Sequence, residues 1–163
     1  MLSHPFPPVY DADSRVLILG SFPSAASRAG QFYYHHPRNR FWPLVAALFG
    51  EPAPETIPDR AALLHRHHLA LWDSAAGCEI DGSADATLRA VTPNDLRPIL
   101  AAAPIRAVFC NGTAAWTIYH RQMEPLTGMP AARLPSTSPA NAAWPLPRLL
   151  EAWQIVADTA GLP

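Results

Sequence analysis

Between Gly20 and Trp42 the chain collects the residue types that hold a planar, polar ligand carried on a polyanion. Gly20-Ser21-Phe22-Pro23-Ser24 offers backbone N–H groups and hydroxyls at the end of an apolar run. Phe32-Tyr33-Tyr34 offers ring faces on which a base can stack, a contact worth about 1–3 kcal/mol per base. His35, His36, Arg38, Asn39 and Arg40 follow, supplying cations for phosphate and a carboxamide for a water or an amide edge. Two later segments carry similar chemistry. Asn111-Gly112 presents a second carboxamide beside a glycine that permits close approach. Ser136-Thr137-Ser138 presents hydroxyls and N–H groups to an anion. Each feature also has a plainer reading. The aromatic trio can pack on the core, Asn39 can cap the helix that follows it, Asn111 can cap a turn, and Arg38 and Arg40 can be a solvated pair.

Several other chemistries lack their residues. Gly-x-x-x-x-Gly-Lys-Ser/Thr and Gly-x-Gly-x-x-Gly are absent, which removes the commonest nucleotide-cofactor sites. Ser21 and Ser24 do not sit in Gly-x-Ser-x-Gly, so a nucleophile elbow is not expected. The chain has no lysine, its 12 basic residues all being arginine, so no lysine amine can form a Schiff base. Its two cysteines, Cys78 and Cys110, are too few for an iron–sulfur cluster and are expected to be reduced and structural. His65, His67 and His68 read as cations at a helix C-terminus. Neither a metal nor a cofactor is expected.

The elements that position these residues alternate in type. Arg15–Gly20, Leu69–Trp72, Ala107–Cys110 and Ala131–Leu134 read as four short strands, and helical spacing fills the segments between them. Arg40–Phe49 reads as a helix stopped by Gly50. Asp59 is expected to cap Arg60–His67, Ser83 to cap Ala84–Ala90, and Asn94 or Asp95 to open a helix to about Ala102. A further helix follows Asn111-Gly112 to about Gln122, and Leu146–Ala160, ended by Gly161, has the clearest amphipathic pattern. The expected fold is α/β, a three-layer αβα domain over residues 1–163 with a short, mainly parallel four-stranded central sheet. Ligands bind such sheets outside the strands' carboxyl ends. Those ends carry Gly20-Ser21, Asp73-Ser74, Asn111-Gly112 and Ser136-Thr137-Ser138, so a site is expected along that edge.

At 163 residues, 49% hydrophobic and 15% charged, the chain can bury a sizeable core. A net charge of −1 argues against a broad basic surface but not against a local grip on a few phosphates. No apolar run approaches the roughly 18 residues of a membrane span, and Met1–Pro8 does not read as a signal peptide. A cytoplasmic protein, a monomer and no membrane association are expected.

These residues resemble the uracil-DNA glycosylase superfamily from about Val16 to Trp144. Gly20-Ser21-Phe22-Pro23-Ser24, then Tyr34, then Asn39-Arg40-Phe41-Trp42 is similar to motif 1 of the mismatch-specific branch. That branch reads Gly-x-Asn-Pro-Gly, an aromatic, and Asn-x-Phe-Trp. Pro135-Ser136-Thr137-Ser138-Pro139-Ala140-Asn141 resembles motif 2, the loop that enters DNA. Phe22 departs from the pattern, since it stands where the mismatch branch has its catalytic Asn and the uracil-specific branch its Asp. The hypoxanthine-DNA (deoxyinosine) glycosylases lack that motif 1 group too, and place their important Asn in His-Pro-x-Asn-x-Phe-Trp, which is Asn39 here. Leu71-Trp72-Asp73, Cys78 and Gly82-Ser83-x-Asp85 are similar to that branch, whereas Glu79-Ile80 departs from its Glu-Arg.

The resemblance implies a monofunctional glycosylase that flips a deaminated base, hypoxanthine first, out of DNA. Tyr34 would stack on the base and Asn111 would read its polar edge. Backbone N–H groups at Ser21 and Phe22 would stabilise the departing base, and Asn39 would hold the attacking water. Ser136, Thr137, Ser138 and Arg38 would contact DNA, and Pro139-Ala140-Asn141-Ala142 would wedge into the vacated stack. The alternatives are a G:U/G:T mismatch-specific uracil glycosylase and a non-catalytic damaged-DNA-binding protein, the latter favoured by Phe22.

Overall fold

A computed structural model describes residues 1–79 and 89–162. Its centre is the strand β2 (Val16–Gly20), whose five residues are all buried, as expected where helices cover both faces of a parallel sheet. β2 pairs in parallel with β3 (Leu69–Asp73) on one side and β6 (Ala107–Asn111) on the other, and β6 pairs in parallel with β7 (Ala131–Leu134). The order is β3-β2-β6-β7. All four expected strands therefore form one parallel sheet.

Alternation along β2 divides the core in two. Val16 and Ile18 pack with Leu44 and Val45 of α2 (Phe41–Leu48) and with Leu149, Trp153 and Val156 of α7 (Leu146–Gly161). Leu17 and Leu19 pack on the opposite face with Ile99 of α4 (Arg97–Ala102) and Ala115 and Ile118 of α5 (Thr113–Ile118). Three layers result. The helix after Asn111-Gly112 continues through a π-helical turn, Tyr119–Met123, into α6 (Glu124–Thr127), past the expected end near Gln122.

Some local expectations are corrected. A short helix that the sequence did not suggest, α1 (Ala25–Gly30), follows Ser24, whose hydroxyl accepts from Ser27 N. Helix α3 runs Ile57–Arg66 and is capped by Thr56, whose hydroxyl accepts from Asp59 N. Asp59 instead lies in the first turn, where its charge favours the helix dipole. A second, antiparallel sheet forms from β1 (Leu2–Ser3), β4 (Ala75–Glu79) and β5 (Arg89–Pro93) in the order β1-β4-β5. Arg89 and Ala90, expected at a helix end, belong to β5; Ser83 and the rest of that helix lie outside the described residues. Among the described residues no helix is long and apolar enough to cross a membrane.

Candidate functional site

The carboxyl ends of all four parallel strands open onto one cavity of about 870 Å³. Gly20, Ser21 and Phe22 arrive from β2, Asp73 from β3, Asn111 from β6 and Ser136–Ser138 from the turn after β7. Tyr34 and Asn39 line the same space. The candidate residues expected along the sheet edge are thus brought together.

The aromatic trio divides. Phe32 stacks on Trp42 at 5.9 Å between centroids, and buried Tyr33 donates its hydroxyl to Pro7 O at 2.8 Å. Both are core residues. Tyr34 is half-buried, with its backbone in the left-handed region at φ 50°, a costly conformation for a tyrosine that its surroundings must hold. The edge of its ring contact with Phe41, 4.1 Å at 87°, locks the ring at the cavity wall. Phe22 lines the cavity while packing into the core; a hydrocarbon there cannot take a proton from water.

Asn39 combines two readings that the sequence left open. Its Oδ1 accepts from Phe41 N at 2.9 Å, closing the start of α2, and from Thr137 Oγ1 at 2.8 Å. Both lone pairs of the amide oxygen are thereby filled. What Asn39 can offer a ligand is its Nδ2 donors. Asn111 is likewise engaged, with Nδ2 donating to Thr137 Oγ1 at 3.0 Å and Oδ1 accepting from Thr137 N at 3.0 Å. One N–H and one lone pair of Asn111 remain for a base edge.

The turn after β7 requires one correction. Thr137 is fully buried and cannot touch a DNA phosphate. Ser136 Oγ accepts from Ser138 N at 3.1 Å and Ser138 Oγ from Ala140 N at 3.2 Å. Asn141 Nδ2 donates to Ser136 O at 3.0 Å, so Asn141 braces the loop, while Pro139 and Ala140 are its exposed tip. Arg40 fastens the loop from below. Its guanidinium donates to Ser138 O at 2.8 Å, Asn141 O at 3.2 Å, Thr137 O at 3.3 Å and Trp144 O. Arg40 is therefore a loop staple, whereas Arg38 is exposed.

The sequence assigned no role to a buried pair in which a histidine lies behind Asp73 of the cavity wall. His4 Nε2 lies 2.8 Å from Asp73 Oδ2, with both side chains 5% exposed. Phe6 N approaches His4 Nδ1 at 3.4 Å, which leaves Nε2 to carry the proton it donates to Asp73. Burial pushes the Asp73 carboxyl above its ordinary range, and the His4 hydrogen bond opposes that shift. Asp73 had a legible signal, a carboxylate ending an apolar strand. His4 had none, because its placement depends on β1 pairing with β4 far along the chain.

Two histidines of the 65–68 cluster are tied to carboxylates. His65 pairs with Asp11 at 3.0 Å, and His67 and Arg66 share Glu51. Among the described residues no group of three or more His, Cys, Asp or Glu side chains converges. Cys78 and Cys110 are buried, and burial pushes the Cys110 thiol up to about 12.

The order β3-β2-β6-β7 with an aromatic and amide-lined cavity across its carboxyl edge defines an α/β protein with a site for a planar polar ligand. The model of the uracil DNA glycosylase superfamily matches residues 7–158, and this chain belongs to that superfamily of DNA glycosylases. It is similar to a hypoxanthine DNA glycosylase of Methanosarcina acetivorans, 32% identical over 96% of this chain and 98% of that protein. A hypoxanthine DNA glycosylase of Methanosarcina barkeri is 33% identical over 66% of this chain and 69% of its own length. The fold matches the solution NMR structure of a candidate uracil DNA glycosylase from Methanosarcina acetivorans with a TM-score of 0.83, at 30% identity, covering 99% of this chain and all of the other.

Gly20 shows how tightly the cavity is built. A Cβ there would lie 2.3 Å from Asp73 Oδ1 and 2.8 Å from Tyr34 Oη. Gly20→Ala must displace one or both groups. The expected result is base excision slowed by about 100-fold, the scale of a 1 Å misplacement, measured in single turnover with Tm as the folding control.

Proposed function

We propose that this enzyme is a monofunctional DNA glycosylase that removes a deaminated base, hypoxanthine in deoxyinosine first, for base excision repair. The observation that carries the reading is the convergence of Tyr34, the Nδ2 donors of Asn39 and the carboxyl of Asp73 on one cavity beside a loop with an exposed Pro139-Ala140 tip. Two relatives named hypoxanthine DNA glycosylases support the choice of base.

The base leaves the duplex to enter the cavity, and the Pro139-Ala140 tip fills the gap. The free O–H donors of Ser136 and Ser138, with Arg38, hold flanking phosphates. Tyr34 stacks on the base. Hypoxanthine carries a lactam edge, an N–H donor beside a carbonyl acceptor, where adenine has the reverse. Asp73, fixed by His4, accepts from the lactam N–H, and Asn111 offers its remaining N–H to the carbonyl. N–H groups at Ser21 and Phe22 support charge on the departing base. The glycosidic bond breaks with its electron pair going to the base, and a water oxygen bonds to the sugar C1′. The released proton neutralises the base anion. Asn39 donates to that water through Nδ2 and positions it, since its filled oxygen accepts no proton.

Uracil shares the lactam edge, so a uracil or G:U/G:T mismatch glycosylase is the second reading. Duplexes carrying hypoxanthine, uracil or mismatched thymine, with adenine as control, separate them when scored for alkali-labile abasic sites. The expected order is hypoxanthine fastest and adenine untouched. Uracil release faster than hypoxanthine release would replace the first reading by the second. Tight binding with no abasic product from any lesion would instead make this a damage-binding protein.

A further inference from the structure

Thr137 lies against the cavity between Asn39 and Asn111, yet it is fully buried. Its hydroxyl has one proton and two lone pairs. Asn111 Nδ2 donates to that oxygen at 3.0 Å, and the hydroxyl proton passes to Asn39 Oδ1 at 2.8 Å. Two backbone donors set the direction of this chain. Thr137 N fixes the oxygen of Asn111, and Phe41 N fixes the oxygen of Asn39. A flipped Asn39 amide would set its NH2 against the Phe41 N–H and strand the Thr137 proton, so only one orientation satisfies every group. In that orientation the amide nitrogen is the end left for the cavity. The same threonine begins the loop that Arg40 staples through four carbonyls, and Arg40 N adds a bond to Thr137 O at 3.1 Å. The Asn39-Arg40 dipeptide and the 137–144 loop are therefore one hydrogen-bonded unit.

We propose that Thr137 is a positioning residue whose hydroxyl orients the Asn39 amide, keeping its Nδ2 donors in the cavity and making that orientation depend on the seating of the DNA-facing loop. This rests on the glycosylase reading above for its kinetic consequence but not for the amide geometry itself. Valine keeps the shape of threonine and removes the proton. Serine keeps the proton.

Single-turnover release of hypoxanthine at saturating duplex tests the assignment. Thr137→Val is expected to slow release by about 100-fold, with duplex Kd changed by no more than about threefold because Thr137 meets no phosphate. Thr137→Ser is expected to restore the rate to within about threefold of the unsubstituted enzyme, because a hydroxyl suffices. On an Asn39→Ala background, Thr137→Val should add no further loss, since the group it orients is gone. An unchanged rate in Thr137→Val overturns the proposal. So does multiplication of the two losses in the double variant, or a folded Thr137→Ser as slow as the valine variant. The side-chain ¹⁵N–H₂ resonances of Asn39, assigned by their loss in Asn39→Ala, give a readout free of activity. They should shift in Thr137→Val and return toward their native positions in Thr137→Ser; identical positions in all three proteins would overturn the relay. If the unsubstituted enzyme released no base from any lesion, the glycosylase reading would fall and these resonances would still decide the role of Thr137.

Discussion

Asn39→Ala is expected to slow single-turnover base release by about 100- to 1,000-fold, the scale of losing one preorganised donor at a reacting centre. Duplex affinity should change little, because the groups proposed to hold phosphate are other side chains, those of Ser136, Ser138 and Arg38. The substitution also strands two donors, Phe41 N–H and Thr137 O–H, at a cost of about 1–3 kcal/mol for each buried group left unpaired. A lowered Tm is therefore expected and does not by itself argue for a purely structural asparagine. Asn39→Asp separates the two roles. The carboxylate still provides an oxygen to both donors and so should hold the stability of the fold. It has no N–H to offer the cavity. Release as slow as in the alanine variant, with Tm near that of the unsubstituted enzyme, is the expected result. A fast Asn39→Asp enzyme would show that an acceptor at this position drives the water, and would remove the donor role argued for Nδ2.

That dual role explains what could and could not be read from the residues alone. The four parallel strands were legible because short apolar runs bounded by turn residues have few other uses, and the site followed from their carboxyl ends. Tyr34 and Asn39 stood out by type and spacing. The division of the aromatic trio did not, because Phe32 is claimed by Trp42 and Tyr33 by Pro7, contacts that depend on tertiary packing. A Ser-Thr-Ser turn reads as an exposed anion cradle, whereas the middle hydroxyl is turned inward by partners 98 and 26 residues away. The small antiparallel sheet escaped notice for a similar reason. Ala75–Glu79 and Arg89–Pro93 carry weak strand patterns, and their pairing with the N-terminal Leu2–Ser3 is long-range. His4 reaches Asp73 only through that pairing.

Asp73 then carries the second large prediction, in rate and in stability with opposite pH trends. As the acceptor for a lactam N–H it must be ionised, and burial holds its pKa above the ordinary range. Excision should therefore climb as pH rises through that raised value. The stability trend runs the other way. The folded state binds this proton more tightly than the unfolded chain, so the contribution is full below the unfolded value of about 3.9. It is lost as pH rises through the folded pKa. His4 faces the carboxyl from just after β1, and Tyr33 and Tyr34 from the segment before α2. His4 opposes the shift, while burial pushes the Tyr33 hydroxyl up and keeps it neutral across this range. Asp73→Asn keeps an oxygen for His4 and abolishes the titration. Its Tm should lose this pH-dependent component, and its excision of hypoxanthine should fall by about 10- to 100-fold, the worth of a hydrogen bond to a charged group. The remaining activity should lack the rise with pH. An amide can also turn its N–H toward a ring nitrogen, so rejection of adenine should weaken in the same variant. An Asp73→Asn enzyme with undiminished rate and the native pH profile would leave the buried pair as a structural strut, and the selection of the lactam edge would pass to Asn111.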